Sequence, residues 1–156
     1  MAENHGIPAY HKPGLGNAPS YMSSGRPWAT GSTLGNGVFW AKVTLPMVSK
    51  SFTVINKDPQ QLHPSGSLTG GAAIYVFFGP EPSSSAGLPE AVETNHFITL
   101  PALDDSFTFD VKCKEFFVGK YLGDSATTVG FQVLAELTNI EPREMFPLSG
   151  SGYNLY

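Results

Sequence analysis

Apolar and polar residues alternate along Ser106–Cys113 without a break. Phe107, Phe109, Val111 and Cys113 fall on one side, and Ser106, Thr108, Asp110 and Lys112 on the other. A period of two is the mark of a half-buried strand. Carried into KEFFV, the pattern predicts one continuous strand over 106–118. GFQVLAELT (130–138) repeats the alternation, with Phe131, Val133, Ala135 and Leu137 inward and Gln132, Glu136 and Thr138 outward. VFWAKVTL (38–45) groups Phe39, Ala41, Val43 and Leu45, and SFTVIN (51–56) groups Phe52 with Val54. AIYVFFG (73–79) is apolar on both faces and predicts a strand with neighbours on either side. HFITL (96–100) follows GPEPSSSAGLP (79–89), whose prolines and glycines no strand tolerates.

These six runs lie at the spacing of all-β sandwiches. A seventh or eighth strand is expected in ATGST (29–33) or near residues 145–148. Helix is expected only as a turn around 89–94 or in the segment 141–145. Parallel α/β folds need long crossover helices that the chain lacks. The expected fold is therefore an all-β, antiparallel β-sandwich, jelly-roll-like or immunoglobulin-like, with an extended N-terminal arm. Its divisions are the Gly/Pro-rich arm (1–37), the sandwich (38–148) and an aromatic C-terminal tail (149–156). The arm carries no sustained period and cannot repay its ordering entropy by burying its own surface.

Composition sharpens this reading. The 156 residues are one domain's worth, and 41% are hydrophobic. Only 14% are charged, against about 25% in ordinary globular chains. Seventeen glycines and 13 prolines stand in their place, which favours turns and strands. The net charge of −4 comes with no basic cluster. Nucleic-acid binding is not expected, because it depends on neutralising phosphates with Lys and Arg. No run reaches the ~20 apolar residues of a membrane span, and the N-terminus lacks the apolar core of a signal peptide. The expected site of synthesis is thus the cytoplasm of a cell, with no membrane partner.

Catalytic patterns are missing: there is no HExxH, P-loop, GxSxG or cysteine pair. GLG (14–16) and GNG (35–37) lack the strand–turn–helix context of a phosphate cradle and read as hinges. Cys113, the sole cysteine, falls on an apolar face and reads as a small hydrophobe. His5, His11, His63 and His96 show no ligand spacing, so no metal or other cofactor is expected. Asp104–Asp105 reads as a turn in preference to a Ca²⁺ loop, for want of further ligands at alternating positions. No catalytic residue is proposed, and the chain is expected not to be an enzyme.

Aromatic residues in segments without periodicity are the remaining candidates. Tyr10, Tyr21 and Trp28 fall in the arm and Tyr153 and Tyr156 in the tail; disordered segments usually avoid such residues, and interfaces use them as anchors. With Arg26, they are the expected partner-binding residues. The rival reading is a sugar-stacking platform on Trp28, Trp40 and Tyr75, giving weak glycan contact.

SGRPWATGS (24–32), KSFTVIN (50–56), NHFITL (95–100), DDSFTFDVKCKEFFV (104–118), GFQVLAELTNI (130–140) and MFPLSGSG (145–152) together resemble small virion structural proteins of marine tailed bacteriophages. The resemblance spans most of 24–152 and concerns a scaffold, not an active site. It implies a virion part such as a capsid decoration or cement protein. The implied partners are the major capsid protein and further copies of the chain, as trimer or dimer. A neck or tail subunit (ring, tube or fibre attachment) and a carbohydrate-binding module on the virion surface are the alternatives.

Overall fold

The computed structural model describes residues 25–35, 37–57, 72–78, 97–101, 104–120 and 128–145. They form eight strands: β1 (Arg26–Leu34), β2 (Trp40–Thr44), β3 (Ser49–Asn56), β4 (Ile74–Phe77), β5 (Phe97–Leu100), β6 (Ser106–Phe109), β7 (Glu115–Lys120) and β8 (Val129–Leu137). One four-stranded sheet, A, has the order β1-β8-β3-β6; the other, B, has the order β2-β7-β4-β5. Every pairing is antiparallel. The first half of the chain pairs with the second in nested fashion: β1 with β8, β2 with β7, β3 with β6 and β4 with β5. A 3-10 turn at Pro142–Glu144 is the one helical element among the described residues, inside the segment 141–145 that the sequence marks.

The inner faces of the two sheets share one core. On sheet A the register aligns Trp28, Ala135, Phe52 and Phe109 in one row, and Thr30, Val133, Val54 and Phe107 in the next. On sheet B, Ala41, Val118, Val76 and Ile98 align. Phe52 joins the layers: its ring stacks on Phe116 of sheet B at 4.2 Å and on Phe109 of its own sheet at 4.9 Å. A buried Phe contributes about 1.5–3 kcal/mol through removal of its surface from water. Ring pairs add about 0.5–1.5 kcal/mol.

The run 106–118 does not make one strand. β6 belongs to sheet A and β7 to sheet B, and the chain crosses between them at 110–114. Phe109 and Cys113 are buried, but Phe107 is 44% and Val111 40% exposed. The crossing is held by Ser49, whose buried hydroxyl donates to the Val111 carbonyl (2.8 Å) and accepts from the Cys113 amide (3.0 Å). The Ser49 amide donates to the Cys113 carbonyl at 2.9 Å. These partners satisfy the Val111 carbonyl and the Cys113 amide and carbonyl where the backbone leaves one sheet for the other.

Three further polar side chains are internal. Asn56 Nδ2 donates to the carbonyls of Ala72 and Leu100, both at 3.0 Å, tying the end of β3 to sheet B. Lys120 is buried on the inward parity of β7, and its ammonium donates to the Gly35 carbonyl (2.9 Å) and lies 5.9 Å from the Phe39 ring centroid. Thr138, expected to face outward, is buried: its Oγ1 donates to the Val48 carbonyl at 2.7 Å and accepts from the Ile140 amide. The strand ends at Leu137, so the alternation no longer governs it.

Candidate functional site

Of the expected partner-binding residues, Tyr10, Tyr21, Tyr153 and Tyr156 lie outside the described residues. Arg26 and Trp28 are in β1, inside the stretch 1–37 and including the strand expected at 29–33. Two residues apart, they share the inward parity of β1. Arg26 pairs with Leu137 and is exposed; Trp28 pairs with Ala135 and is half-buried against the core. The chain reaches β1 through Gly25, where a Cβ would stand 2.6 Å from the Glu136 Cβ. Only glycine lets the backbone pass that close to β8.

β1 and β2 are the edges of sheets A and B on the same side of the molecule, and a cleft of about 170 Å³ opens between them. Trp28, Thr30 and Ser32 line it from sheet A, and Lys42 and Thr44 from sheet B, with Phe131 at its base. Its walls offer one indole, three hydroxyls and one ammonium, the last also paired with Glu115 at 3.2 Å. Such a lining can take an apolar or aromatic side chain together with a hydrogen-bonding backbone.

The outer face of sheet A is unusually neutral. Its two middle rows are Ala29, Leu134, Thr53 and Thr108, and Gly31, Gln132, Ile55 and Ser106. No charge stands in either row. Leu134 is 53% exposed at the centre, and the hydroxyls of Thr53 and Thr108 bond each other at 2.8 Å. Charges gather at the two ends of the face as ion pairs, Lys50 with Glu136 (3.7 Å) and Lys57 with Asp104. Asp104 sits at φ 63°, in the left-handed region that Asp tolerates in turns, and its amide donates to Asn56. That agrees with the turn expected at Asp104–Asp105.

The outer face of sheet B carries aromatic residues instead. The row Lys42, Phe117, Phe77 and Phe97 brings Phe117 and Phe77 into a stack at 5.3 Å, with Trp40 edge-on to Phe117 at 5.7 Å. Both phenylalanines are buried. Tyr75 meets Phe97 edge-on at 4.8 Å. Trp40 and Tyr75 thus stand on the outer side of sheet B, whereas Trp28 stands on the inner parity of sheet A. The three rings form no common platform.

The remaining reactive groups are structural in their surroundings. Cys113 is buried, and desolvation pushes its thiol up to about 11, outweighing the opposing hydrogen bond from Ser49. Among the described residues no three His, Cys, Asp or Glu side chains come together as metal ligands, and all four histidines lie outside them. Among the same residues no helix is long and apolar enough to cross a membrane. Sequence reading overlooked Lys42, Thr30 and Ser32 as cleft residues, because the cleft exists only where two strands distant in sequence become neighbouring edges. No protein-family model and no curated protein matches the chain.

Proposed function

We propose that the protein is a structural subunit of a bacteriophage virion, a decoration or cement protein that binds and stabilises the capsid surface. The observation that carries this reading is the neutral outer face of sheet A ending in an exposed edge strand. Surfaces that must stay apart from other proteins carry dispersed charge, whereas this one concentrates its ions at the two ends and leaves the middle free to pack. Arg26 and Trp28 stand at the entrance of that edge, where the segment 1–24 joins it. The proposed partners are the major capsid protein and other copies of the chain, engaged through the arm and the aromatic tail.

The nested strand pairing supports the jelly-roll alternative over the immunoglobulin-like one. A strip folded once and then rolled pairs first with last, second with second-last, and so on inward, with the two sheets arising from the roll. Immunoglobulin-like sandwiches place seven or more strands differently, with their first two strands in one sheet. Jelly rolls serve as viral capsid and lectin domains alike, so topology supports a virion role without choosing it. Cleft size speaks against the lectin-like option: about 170 Å³ is small beside the ~300–1,000 Å³ of usual ligand sites, and suits an inserted side chain better than a saccharide.

Particles depleted of the protein test the reading. They should lose heat resistance and regain it when the purified chain is added back. Unchanged heat resistance would count against a cement role. Copy number separates the neck or tail alternative: hundreds per particle fit the capsid surface, and a few to a few dozen fit a ring or fibre attachment (orders of magnitude set by symmetric assembly).

A further inference from the structure

We infer that β1 pairs with β1 of a second copy about a two-fold axis through Gly31, joining two A sheets into one. This deepens the self-association part of the proposed function, yet it requires no virion and can fail or succeed independently of one.

Of the four edge strands, β2, β5 and β6 are short, with 5, 4 and 4 residues. Shortness is one way that sheets avoid pairing with other chains, as are bulges, central charges and prolines on the edge. β1 uses only the last, with Pro27 at its second position. It runs for nine residues, keeps register with β8 over all nine, and has its single charge, Arg26, at the first position. No described strand lies on its far side, and Ala29, Gly31 and Thr33 are exposed.

Proline sets which groups that edge presents. Pro27 has no N–H, and a proline inside a sheet is accommodated with its nitrogen toward solvent. Backbone direction alternates along an antiparallel strand. Ala29, Gly31 and Thr33, which share the parity of Pro27, therefore turn their N–H and C=O groups outward. An axis at Gly31 places Ala29 opposite the partner's Thr33 and Gly31 opposite the partner's Gly31. Every hydrogen-bonded pair then has its donors, two bonds to each pair. An axis at Thr30 would instead set Pro27 opposite the partner's Thr33 and lose a bond. Gly31 has no side chain to separate the strands, and a glycine within a strand often marks close approach of another backbone. On the cleft side, Trp28 comes opposite the partner's Leu34, and Thr30 opposite the partner's Ser32. The isologous arrangement keeps the two Arg26 residues at opposite ends, so no like charges meet.

Sedimentation of the full chain tests this, with two variants that fix the register. The wild type should sediment at twice the 16.7 kDa chain mass and dissociate on dilution. Ala29→Lys with Thr33→Lys puts ammonium groups directly opposite each other at two places, and should give monomer. Ala29→Lys with Thr33→Glu makes the same positions complementary and should restore the dimer. Both sites are exposed on the outer face, so the variants should melt alike at a concentration where the wild type is dissociated, and the dimeric species should melt higher as concentration rises. In the wild type, amide exchange at Ala29, Gly31 and Thr33 should slow as concentration rises, which checks the pairing without substitution. A wild-type monomer up to about 1 mM, the weak end of specific association, overturns the inference. So does a dimer that survives the double lysine, or a trimer. None of these three outcomes bears on the heat-resistance test of the virion reading.

Discussion

Ser49 shows how one hydroxyl decides a path of the chain. Its side chain serves the carbonyl of Val111 and the amide of Cys113, both placed where the backbone leaves sheet A for sheet B. Ser49→Ala removes both bonds and leaves buried groups without partners, at a cost of about 1–3 kcal/mol. Urea unfolding should show the loss as a lower midpoint at unchanged slope. Ser49→Ala should also speed reaction of Cys113 with a thiol reagent, because local opening of the crossing exposes it. Cys113 itself gives a pH signature. Its folded value is raised from 9.0 to about 11, so above pH 9 the unfolded chain releases a proton that the folded chain keeps. Stability therefore falls as pH rises from about 9 to 11, by up to roughly 1.4 kcal/mol for each unit of difference. Cys113→Ala should flatten that decline relative to the wild type. Parallel pH profiles for the two would contradict the burial of the thiol.

At the scale of elements, β1 depends on close approach to β8. Gly25→Ala forces a Cβ against Glu136 and should lift the start of the strand, costing about 1 kcal/mol or more. Amide exchange should accelerate through β1 and remain unchanged in β4 and β7. Equal protection of β1 in the variant would show that the strand tolerates the shift. Strand periodicity made much of this layer legible from sequence: 38–45, 51–56, 73–79, 96–100 and 130–138 each overlap one observed strand, with ends that differ by up to two residues, and 29–33 lies inside β1. The split of 106–118 was legible only as a break in the pattern. Alternation holds through Cys113 and then fails at Lys114 and Glu115, where the inward parity passes from Phe109 and Cys113 to Phe116 and Val118; what fixes the crossing there is Ser49, some 60 residues earlier. Asn56 and Lys120 carried a usable signal. Asn56 shares parity with Phe52 and Val54, and Lys120 with Phe116 and Val118, so both point inward despite their polarity. Their carbonyl partners are distant in sequence and could not be foreseen. The candidate site was legible only in part: Trp28 and Arg26 were marked by type and place, while the cleft and the neutral face arise from register.

For the molecule as a whole, the folded layers and the segments beyond them make separable predictions. The core rows described in both sheets are built from residues beyond position 24. A chain lacking 1–23 should keep the wild-type circular dichroism and a cooperative melt, yet lose binding to capsids by an order of magnitude or more. Capsid binding that survives the truncation would remove the arm from the account. β1 pairing is expected to persist in that truncated chain, since Ala29, Gly31 and Thr33 remain.

Cryo-electron microscopy of the native particle decides whether the protein decorates the capsid. Density for two apposed four-stranded β-sheets is expected on the outer capsid surface, in hundreds of copies, with the N-terminal segment lying across neighbouring subunits. Particles whose surface lacks such density, or that carry the chain nowhere at all, would contradict a decoration role.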